Sequence, residues 1–278
     1  MTKHSKMYIL KQDSDKEIDA DSLACVTFLQ FVRDSPQLST TFYEFAGADG
    51  AIEGDSVFKS KKITCDFLIQ ANSVDNYKLA EQEFYNFFYE RKSYYVRFSR
   101  TPGIRYKVIP EIAAVELSKN GKIAKITLEL NNFTGYAESV HSSLMTRDVE
   151  DSWQFGQGIL ADDYSYTHHA NHFSIYNPGP ITVDPRLHFL HILVTGDAYG
   201  DFVMENQTTL ERFECTKKFN IGNKDVLTIE QTSAKLNGIP IGMETNGGLI
   251  SLAPGKNDIV LKNIARTFVT FNFHSLHV

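Results

Sequence analysis

Apolar and polar positions alternate along much of the first half of the chain, a period of two that is typical of half-buried β-strands. The strand candidates are 7–10, 40–46, 60–70, 94–100, 104–118 and 123–133, while 25–32 fits either a strand or a short helix. The pair Asn120-Gly121 between the last two runs is the sequence signature of a β-hairpin. The first half therefore predicts antiparallel strands that end in a meander.

One segment of the first half has helical spacing. Its apolar residues fall on one face of a helix over 75–91, and they are Tyr77, Ala80, Phe84, Phe87 and Phe88. Ser73 or Asp75 is suited to cap the start, and Arg91 and Lys92 sit at the negative end of the helix dipole. We expect this helix to pack its aromatic stripe across a sheet.

The second half shows no helical period and predicts a series of short strands. The candidates are 173–177, 181–196, 201–206, 211–219, 225–237, 248–252, 257–263 and 266–278. Turn-forming residues separate them roughly every 8–12 residues, which is the spacing of an all-β sandwich.

Between the two halves, residues 134–152 lose all periodicity and are small, polar or charged, as is typical of a domain boundary. We predict an N-terminal domain over 1–145 and a C-terminal domain over 146–278. The expected fold class is mainly β, with a β-sandwich-like N-terminal domain that carries the one helix and a second β-sandwich at the C-terminus.

Composition and charge narrow the classes of function. The formal net charge is −6 and the pI is near 5.8, which argues against a nucleic-acid binder because such proteins present a basic face. No run approaches the ~18 apolar residues of a membrane span, and the first residues lack a secretory signal. Three scattered cysteines exclude a disulfide scaffold or zinc ribbon. We expect a soluble protein, made in a cytoplasm, with no nucleic-acid or membrane partner.

The stretch FAGADGAIEG, 45–54, raises the question of a ligand loop. A phosphate loop reads G-x-x-x-x-G-K-[ST] between a strand and a helix, whereas here no such Lys follows and the acids would repel a phosphate. A metal loop would take its ligands from Asp49, Glu53 and Asp55, and these acids have no recognised ligand spacing. We favour a structural bend in which Gly47, Gly50 and Gly54 supply the backbone freedom.

The stretch DDYSYTHHANHF, 162–173, is the most suggestive cluster of metal-ligand types. His168 and His172, with Asp163 nearby, are candidate ligands, since histidines four apart share a face on a helix. The segment has no helical period and no Glu after His168, so we favour a surface or interface loop, with no metal and no cofactor. Hydrolase signatures such as G-x-S-x-G and H-E-x-x-H are absent, so we assign no catalytic residue.

Three segments, taken in order, resemble the distal tail protein (Dit) family of siphophages that infect Gram-positive bacteria. FAGADGAIEGDSVFKSKKITCDFLI is similar to the family's N-terminal stretch, and the predicted helix and meander follow in the family's order. FSIYNPGPITVDPRLHF resembles the opening of the family's C-terminal sandwich. SLAPGKNDIVL and then FVTFNFHSL are similar to the family's turn and final aromatic strand. The polar segment 134–170 has no counterpart in this resemblance.

The resemblance implies a structural virion protein of the phage tail tip and not an enzyme. Family members form a ring, typically hexameric, whose N-terminal domains close on one another and dock on the tail tube protein. Their galectin-like or carbohydrate-module-like C-terminal sandwich holds baseplate, tail-associated lysin or receptor-binding components and so serves host attachment. In this chain we expect the edge strands within 94–133 to pair between subunits.

An alternative is a carbohydrate-binding module that recognises host cell-wall glycans through the C-terminal sandwich. It would need a platform of exposed aromatic rings, for which Trp153, Tyr164, Tyr166 and Tyr199 are the candidates. A hydrolytic enzyme is a third interpretation, and it would require a carboxylate or metal cluster that the sequence does not display.

Overall fold

The computed structural model describes residues 5–47, 49–145 and 164–278. The chain divides into two compact units, Met1–Glu138 with Val278, and Ser139–His277. Both are built of antiparallel strands, and the described residues contain one α-helix. The mainly-β fold class expected from the sequence is confirmed.

The N-terminal unit contains ten strands, one α-helix and one short 3-10 turn. Their bounds are β1 Met7–Leu10, β2 Ile18–Asp19, the 3-10 turn Ala20–Ser22, β3 Val26–Arg33, β4 Leu38–Glu44, β5 Ala51–Phe58, β6 Lys61–Gln70, α1 Val74–Phe88, β7 Tyr94–Phe98, β8 Ile104–Leu117, β9 Ile123–Asn132 and β10 Ala137–Ser139, the last of which crosses into the second unit.

The main sheet of this unit has the strand order β2-β1-β7-β8-β9-β6-β3, and β10 adds to β8. Strand β8 belongs to both halves of the sheet, since residues 105–108 pair with β7 and residues 109–117 pair with β9. Every second residue of β9 is buried, including Ile126 and Leu128. This alternation follows from a sheet with one face on a core and the other in solvent.

Helix α1 covers the core face of the sheet, as its aromatic spacing predicts. Ser73 caps it by accepting a hydrogen bond from the amide of Asn76 at 3.1 Å. The rings of Phe84 and Phe88 lie 5.1 and 5.2 Å from that of Phe67 on β6. The predicted end at residue 91 is wrong, because the helix ends at Phe88. The next residues are not buried, with Tyr89 and Arg91 exposed, so no core contact holds another helical turn.

Strands β4 and β5 form a separate two-stranded sheet. The sequence pattern predicts a strand over 40–46 but none over 51–58, so β5 is a strand that was not predicted. We call the hairpin, residues 38–58, the arm. It leaves the main sheet between β3 and β6, which pair directly with each other.

The described residues of the C-terminal unit contain nine further strands and two 3-10 turns. Their bounds are β11 Thr167–His168, β12 His172–Asn177, β13 Leu190–Asn206, β14 Glu211–Cys215, the 3-10 turn Ile221–Asn223, β15 Leu227–Glu230, β16 Ser233–Leu236, β17 Ile239–Pro240, the 3-10 turn Gly242–Glu244, β18 Gly255–Phe273 and β19 Leu276–His277.

Two long strands, β13 and β18, pair over nearly their whole length and organise this unit. The ladder shifts register twice: between Thr195 and Asp197, opposite Arg266 with a φ of 50°, and between Ala198 and Val203, opposite Asn263 with a φ of 59°. One half of the pair is flanked by β11 and β15, and the other by β12 and β14. Two bent strands therefore supply the centre of both halves of the unit.

The sequence predicted this region as shorter pieces. Strands over 181–196 and 201–206 are expected, but 181–189 is irregular and one strand runs through from Leu190 to Asn206. Gly196, the last residue of the first expected strand, lies inside β13. A Cβ there would come 2.6 Å from the Ile264 side chain, so the glycine permits close approach of β18 rather than a reversal.

A buried amide holds the turn that precedes β18. Asn257 is fully buried; its Oδ1 accepts the amide of Ala253 at 2.8 Å and Nδ2 of Asn206 at 3.1 Å. Its own Nδ2 donates to the carbonyls of Ala253 and Gly255 at 2.8 and 3.1 Å. The side chain thus replaces the backbone partners that an irregular buried turn lacks.

Candidate assembly surface

The arm exposes most of its large apolar side chains. Six of them are more than half exposed: Leu38, Phe42, Tyr43, Phe45, Ile52 and Val57. A monomeric soluble protein rarely exposes so many contiguous apolar groups, and such patches mark interaction sites. An isolated two-stranded hairpin is also only marginally stable in water. The arm therefore has the character of an element that is covered in an assembly.

The register of the arm shows that both faces are apolar. Phe42 is opposite Glu53, and Tyr43 is opposite Ile52. Because neighbouring residues of a strand point to opposite faces, Phe42 and Glu53 share one face with Glu44, while Tyr43 and Ile52 share the other. Thr40 Oγ1 and Ser56 Oγ, 2.7 Å apart, join the strands nearer their base.

The predicted bend glycines lie at the tip of the arm and just behind it. Gly47 and Gly50 have φ of 85° and 82° in the connection between β4 and β5, values that other residues adopt only with strain. Gly54 lies inside β5, where a Cβ would come 2.6 Å from Cε2 of Tyr43. It leaves room for that ring to lie across the neighbouring strand.

Charge is distributed unevenly between the arm and its base. The arm contains four acids, Glu44, Asp49, Glu53 and Asp55, and no basic residue. We call the flanking residues 33–37 and 59–62 the root; they contain four basic residues, Arg33, Lys59, Lys61 and Lys62, against one acid, Asp34. Lys62 is neutralised by Glu129 at 2.7 Å.

Two cations of the root, Arg33 and Lys61, lie over the ring of Tyr106; we call them the basic pair. Lys61 Nζ and Arg33 Cζ are 5.7 and 5.5 Å from the ring centroid, and Arg33 donates to the Tyr106 hydroxyl. Lys61 is only 6% exposed. Burial, and secondarily the charge of Arg33, lowers the pKa of its ammonium group. Within the described residues, neither cation forms an ion pair.

The strands over 94–133, expected to offer edges for pairing between subunits, do so only in part. β7 lies between β1 and β8, and β9 lies between β8 and β6. In β8, residues 109–117 pair with β9 on one side, and β10 also pairs with β8. Pro110 interrupts this edge, and Glu111 and Glu116 are exposed along it. Proline and charge on an edge oppose strand addition, so the arm is the stronger candidate surface.

The two candidate histidine ligands, His168 and His172, lie on different strands of the C-terminal unit. His168, in β11, is opposite Val269 and stacks on Phe173 at 4.3 Å, and burial is the largest influence lowering its pKa. His172 opens β12 opposite Val260, on the other half of β18. Asp163 lies outside the described residues. Among the residues that are described, no three potential ligands cluster around one point.

The candidate aromatic platform is likewise divided among several environments. Tyr164 stacks on Tyr176 with ring centroids 4.2 Å apart. Tyr166 packs edge-on against buried Phe273 and donates to the carbonyl of Tyr176 at 3.0 Å. Tyr199 is 77% exposed, at the bend of β13. Trp153 lies outside the described residues.

The arm is the feature that sequence reasoning missed. A signal was present, since 38–58 combines seven large apolar residues with four acids and no basic residue. Its second strand, 51–58, shows no period of two, because neither face is buried within the chain. In the described part of the chain, no α-helix combines the length and the apolar run that a membrane crossing needs.

The family match covers most of the N-terminal unit, and the structural matches cover nearly the whole chain. Residues 24–132 match the family model for the phage tail protein RIFT-related domain, and this stretch includes the arm. No curated protein sequence matches the chain.

Among solved structures, the chain is similar to SPP1 Dit (gp 19.1), described as a paradigm of the hub adsorption apparatus in phages infecting Gram-positive bacteria. That likeness has a TM-score of 0.69 at 13% identity and covers 98% of this chain and 99% of the SPP1 protein. A chain of the phage p2 baseplate in its activated conformation with Sr matches at a TM-score of 0.46 and 12% identity, over 96% of this chain and 97% of that one.

The domain match and the shared fold confirm the resemblance found in the sequence. The N-terminal unit contains a phage tail protein domain, and the chain has the fold of a distal tail protein over nearly its full length. The expected location, the tail of a virion, is confirmed on the same grounds.

Proposed function

We propose that this protein is a structural component of the phage tail tip, whose N-terminal unit assembles into a ring and whose C-terminal unit holds further tail components. The observation that carries the proposal is the arm, with its exposed apolar side chains on both faces. The match of residues 24–132 to a phage tail domain supports it. The function requires no catalytic step and no cofactor.

The ring is closed by the arm of each subunit lying on its neighbour. Covering six large apolar side chains stabilises such a contact by about 25 cal/mol for each Å² removed from water, before the costs of association. A contact between unlike surfaces of identical subunits generates a ring when the rotation closes. We propose a hexamer, in keeping with the family resemblance, with the tail tube protein bound to the N-terminal units.

The C-terminal unit serves as the outward attachment point. We propose that it adopts the galectin-like role of the family resemblance and holds baseplate, tail-associated lysin or receptor-binding components. Its rigid centre, the β13–β18 pair, supports this role because both halves of the unit are built on the same two strands. Attachment surfaces on rigid elements keep their geometry under load better than surfaces on loops.

The test compares the full chain with an arm-deleted variant in which residues 36–60 are replaced by Asn-Gly. This replacement joins Asp34 and Ser35 to Lys61 and Lys62 through a two-residue turn that suits antiparallel strands. Sedimentation velocity in the micromolar range and negative-stain microscopy should show a ring-sized oligomer for the full chain and a monomer for the variant. Hydrogen exchange in β3 and β6 checks that the variant is folded.

Two results would contradict the proposal. One is a full chain that stays monomeric throughout this range. The other is an arm-deleted variant that is folded and still forms the same ring.

A further inference from the structure

We infer that the arm of one copy of this chain docks on the root of the next copy, with the carboxylates of Glu44 and Glu53 placed against the basic pair, Arg33 and Lys61. This inference deepens the proposed ring and rests on it. It assigns the contact a direction, from the tip of one subunit to the base of another, and names the side chains that specify it.

Lys61 is a largely buried lysine whose charge no described carboxylate neutralises. The residue is 6% exposed, and its near neighbours over the Tyr106 ring are a second cation, Arg33, and a phenol. An ammonium group held next to a like charge is stabilised when an opposite charge is brought close to it. Among the described residues no carboxylate pairs with either cation, so a carboxylate from another molecule would compensate both charges.

The same chain carries an acidic surface that is complementary to these two cations. Glu44 and Glu53 lie on one face of the arm beside Phe42, and all three are exposed. A carboxylate fits the planar guanidinium of Arg33 and the ammonium of Lys61. The ring of Phe42 lies on the same face as the two acids, and the rings of Phe31 and Tyr106 lie against the cations.

The geometry of the arm excludes contact between its acids and the root of the same chain. Glu53 precedes Lys61 by eight residues of mostly extended strand, a separation of roughly 25 Å. β4 and β5 pair only with each other among the described strands, so the arm does not fold back to bring its acids to its own root. A second copy supplies both the acids and the apolar cover.

The contact is therefore heterologous: each subunit offers an acidic tip in one direction and a basic root in the other. Contacts of this type form closed rings or open filaments and not two-fold dimers. Charge matching also disfavours the incorrect pairings, because tip against tip and root against root place like charges together.

The experiment uses charge reversal at each end of the full chain. The tip variant is Glu44→Lys with Glu53→Lys, and the root variant is Arg33→Glu. Each alone should weaken the oligomer at least about tenfold by sedimentation. Mixed in equal amounts, the two should recover it, because every junction then pairs a native tip with a native root or a reversed tip with a reversed root. The matched control, Asp15→Lys with Glu83→Lys, reverses two exposed acids outside the arm and should assemble normally.

A further variant, Lys61→Met, separates assembly from folding. It keeps the buried stem and removes the charge, so the monomer should be as stable as the wild type or more stable. Its oligomer should nevertheless dissociate at a concentration at least about tenfold higher. A side chain with only a structural role would instead lower monomer stability and leave assembly of the folded fraction unchanged.

The outcomes distinguish the two levels of the proposal. A wild-type chain that never assembles overturns both the ring and the docking. A ring that forms normally with the tip, root and Lys61→Met variants overturns the docking alone. Loss of assembly in each reversed variant without recovery in the mixture also overturns it, since complementary junctions would then be present without effect.

Discussion

The arm and the β13–β18 pair are both antiparallel ladders of two strands, and they differ in where their apolar side chains go. In the pair, alternate residues such as Ile192 and Phe271 are almost completely buried within the unit. In the arm, residues of the same type, such as Phe42 and Ile52, are about two-thirds exposed, at 63% and 62%. Backbone pairing alone does not decide whether a hairpin is complete, because stability depends on the layer that covers it. Side chains of the same unit cover the β13–β18 pair, whereas the arm has no such covering layer among the described residues.

The largest expected effect comes from truncating one aromatic ring in each ladder. Phe271→Ala should lower the free energy of unfolding of the C-terminal unit by roughly 3–5 kcal/mol, because it leaves a cavity in a packed core. Phe42→Ala should change monomer stability by less than about 0.5 kcal/mol, as for an exposed side chain. Hydrogen exchange across a urea series reports each unit separately.

These measurements are made at concentrations where the protein is monomeric. A loss of several kcal/mol in the Phe42→Ala monomer would show that the arm is packed within its own chain, and the comparison would fail.

A smaller effect is expected from polar groups. Asn257→Ala should lower the stability of the C-terminal unit by roughly 2–3 kcal/mol, because it removes the acceptor for the amide of Ala253 and for one hydrogen of the buried Asn206 Nδ2. The matched change in the arm, Thr40→Ala, removes a hydrogen bond to Ser56 that water replaces, and it should cost less than about 0.5 kcal/mol. Equal losses at both positions, measured by the same exchange method, would refute the distinction.

The smallest expected effect is a pH dependence confined to one unit. Eight of the nine histidines lie in Ser139–His277, and the arm contains none. Burial lowers the pKa of His277 below its ordinary value, so the folded state favours the neutral ring. Its stabilising contribution is complete above the unfolded pKa of about 6.5 and is lost as the pH falls from there through the lower folded pKa.

The urea midpoint of the C-terminal unit should therefore decrease on going from about pH 7.5 to about pH 5.5, and less so in His277→Gln. The N-terminal unit, whose single histidine is His4, is the internal control. An equal decrease in both units would assign the effect to other groups.

Sequence reasoning succeeded where burial imposes a period. The face of α1 could be identified because Tyr77, Ala80, Phe84 and Phe88 are all buried against the sheet. The end of the helix could not, since Arg91 and Lys92 suit a helix terminus electrostatically but make no core contact that would extend it. Dipole preferences contribute a fraction of a kcal/mol and do not outweigh missing packing.

The long strands and the arm show two different limits. In β13, Gly196 and Asp197 resemble a turn, and only the position of Ile264 across the ladder shows that the strand continues. In β5 the limit on prediction has a more fundamental cause. Periodicity records burial inside one chain, so a strand that no layer of its own chain covers has no period to detect. Its composition, apolar and acidic together, was the signal available.

The direct pairing of β3 with β6 has a consequence for how such proteins diversify. Because these strands are neighbours whether or not residues 38–58 intervene, the arm is an excursion from a connection that a short turn would also make. Substitutions, insertions and deletions there leave the pairing of β3 with β6 in place, as expected for loop insertions. Sequence change in the exposed arm is then separated from sequence change that affects folding of the main sheet. The surface of the arm and the sheet that carries it can therefore vary independently.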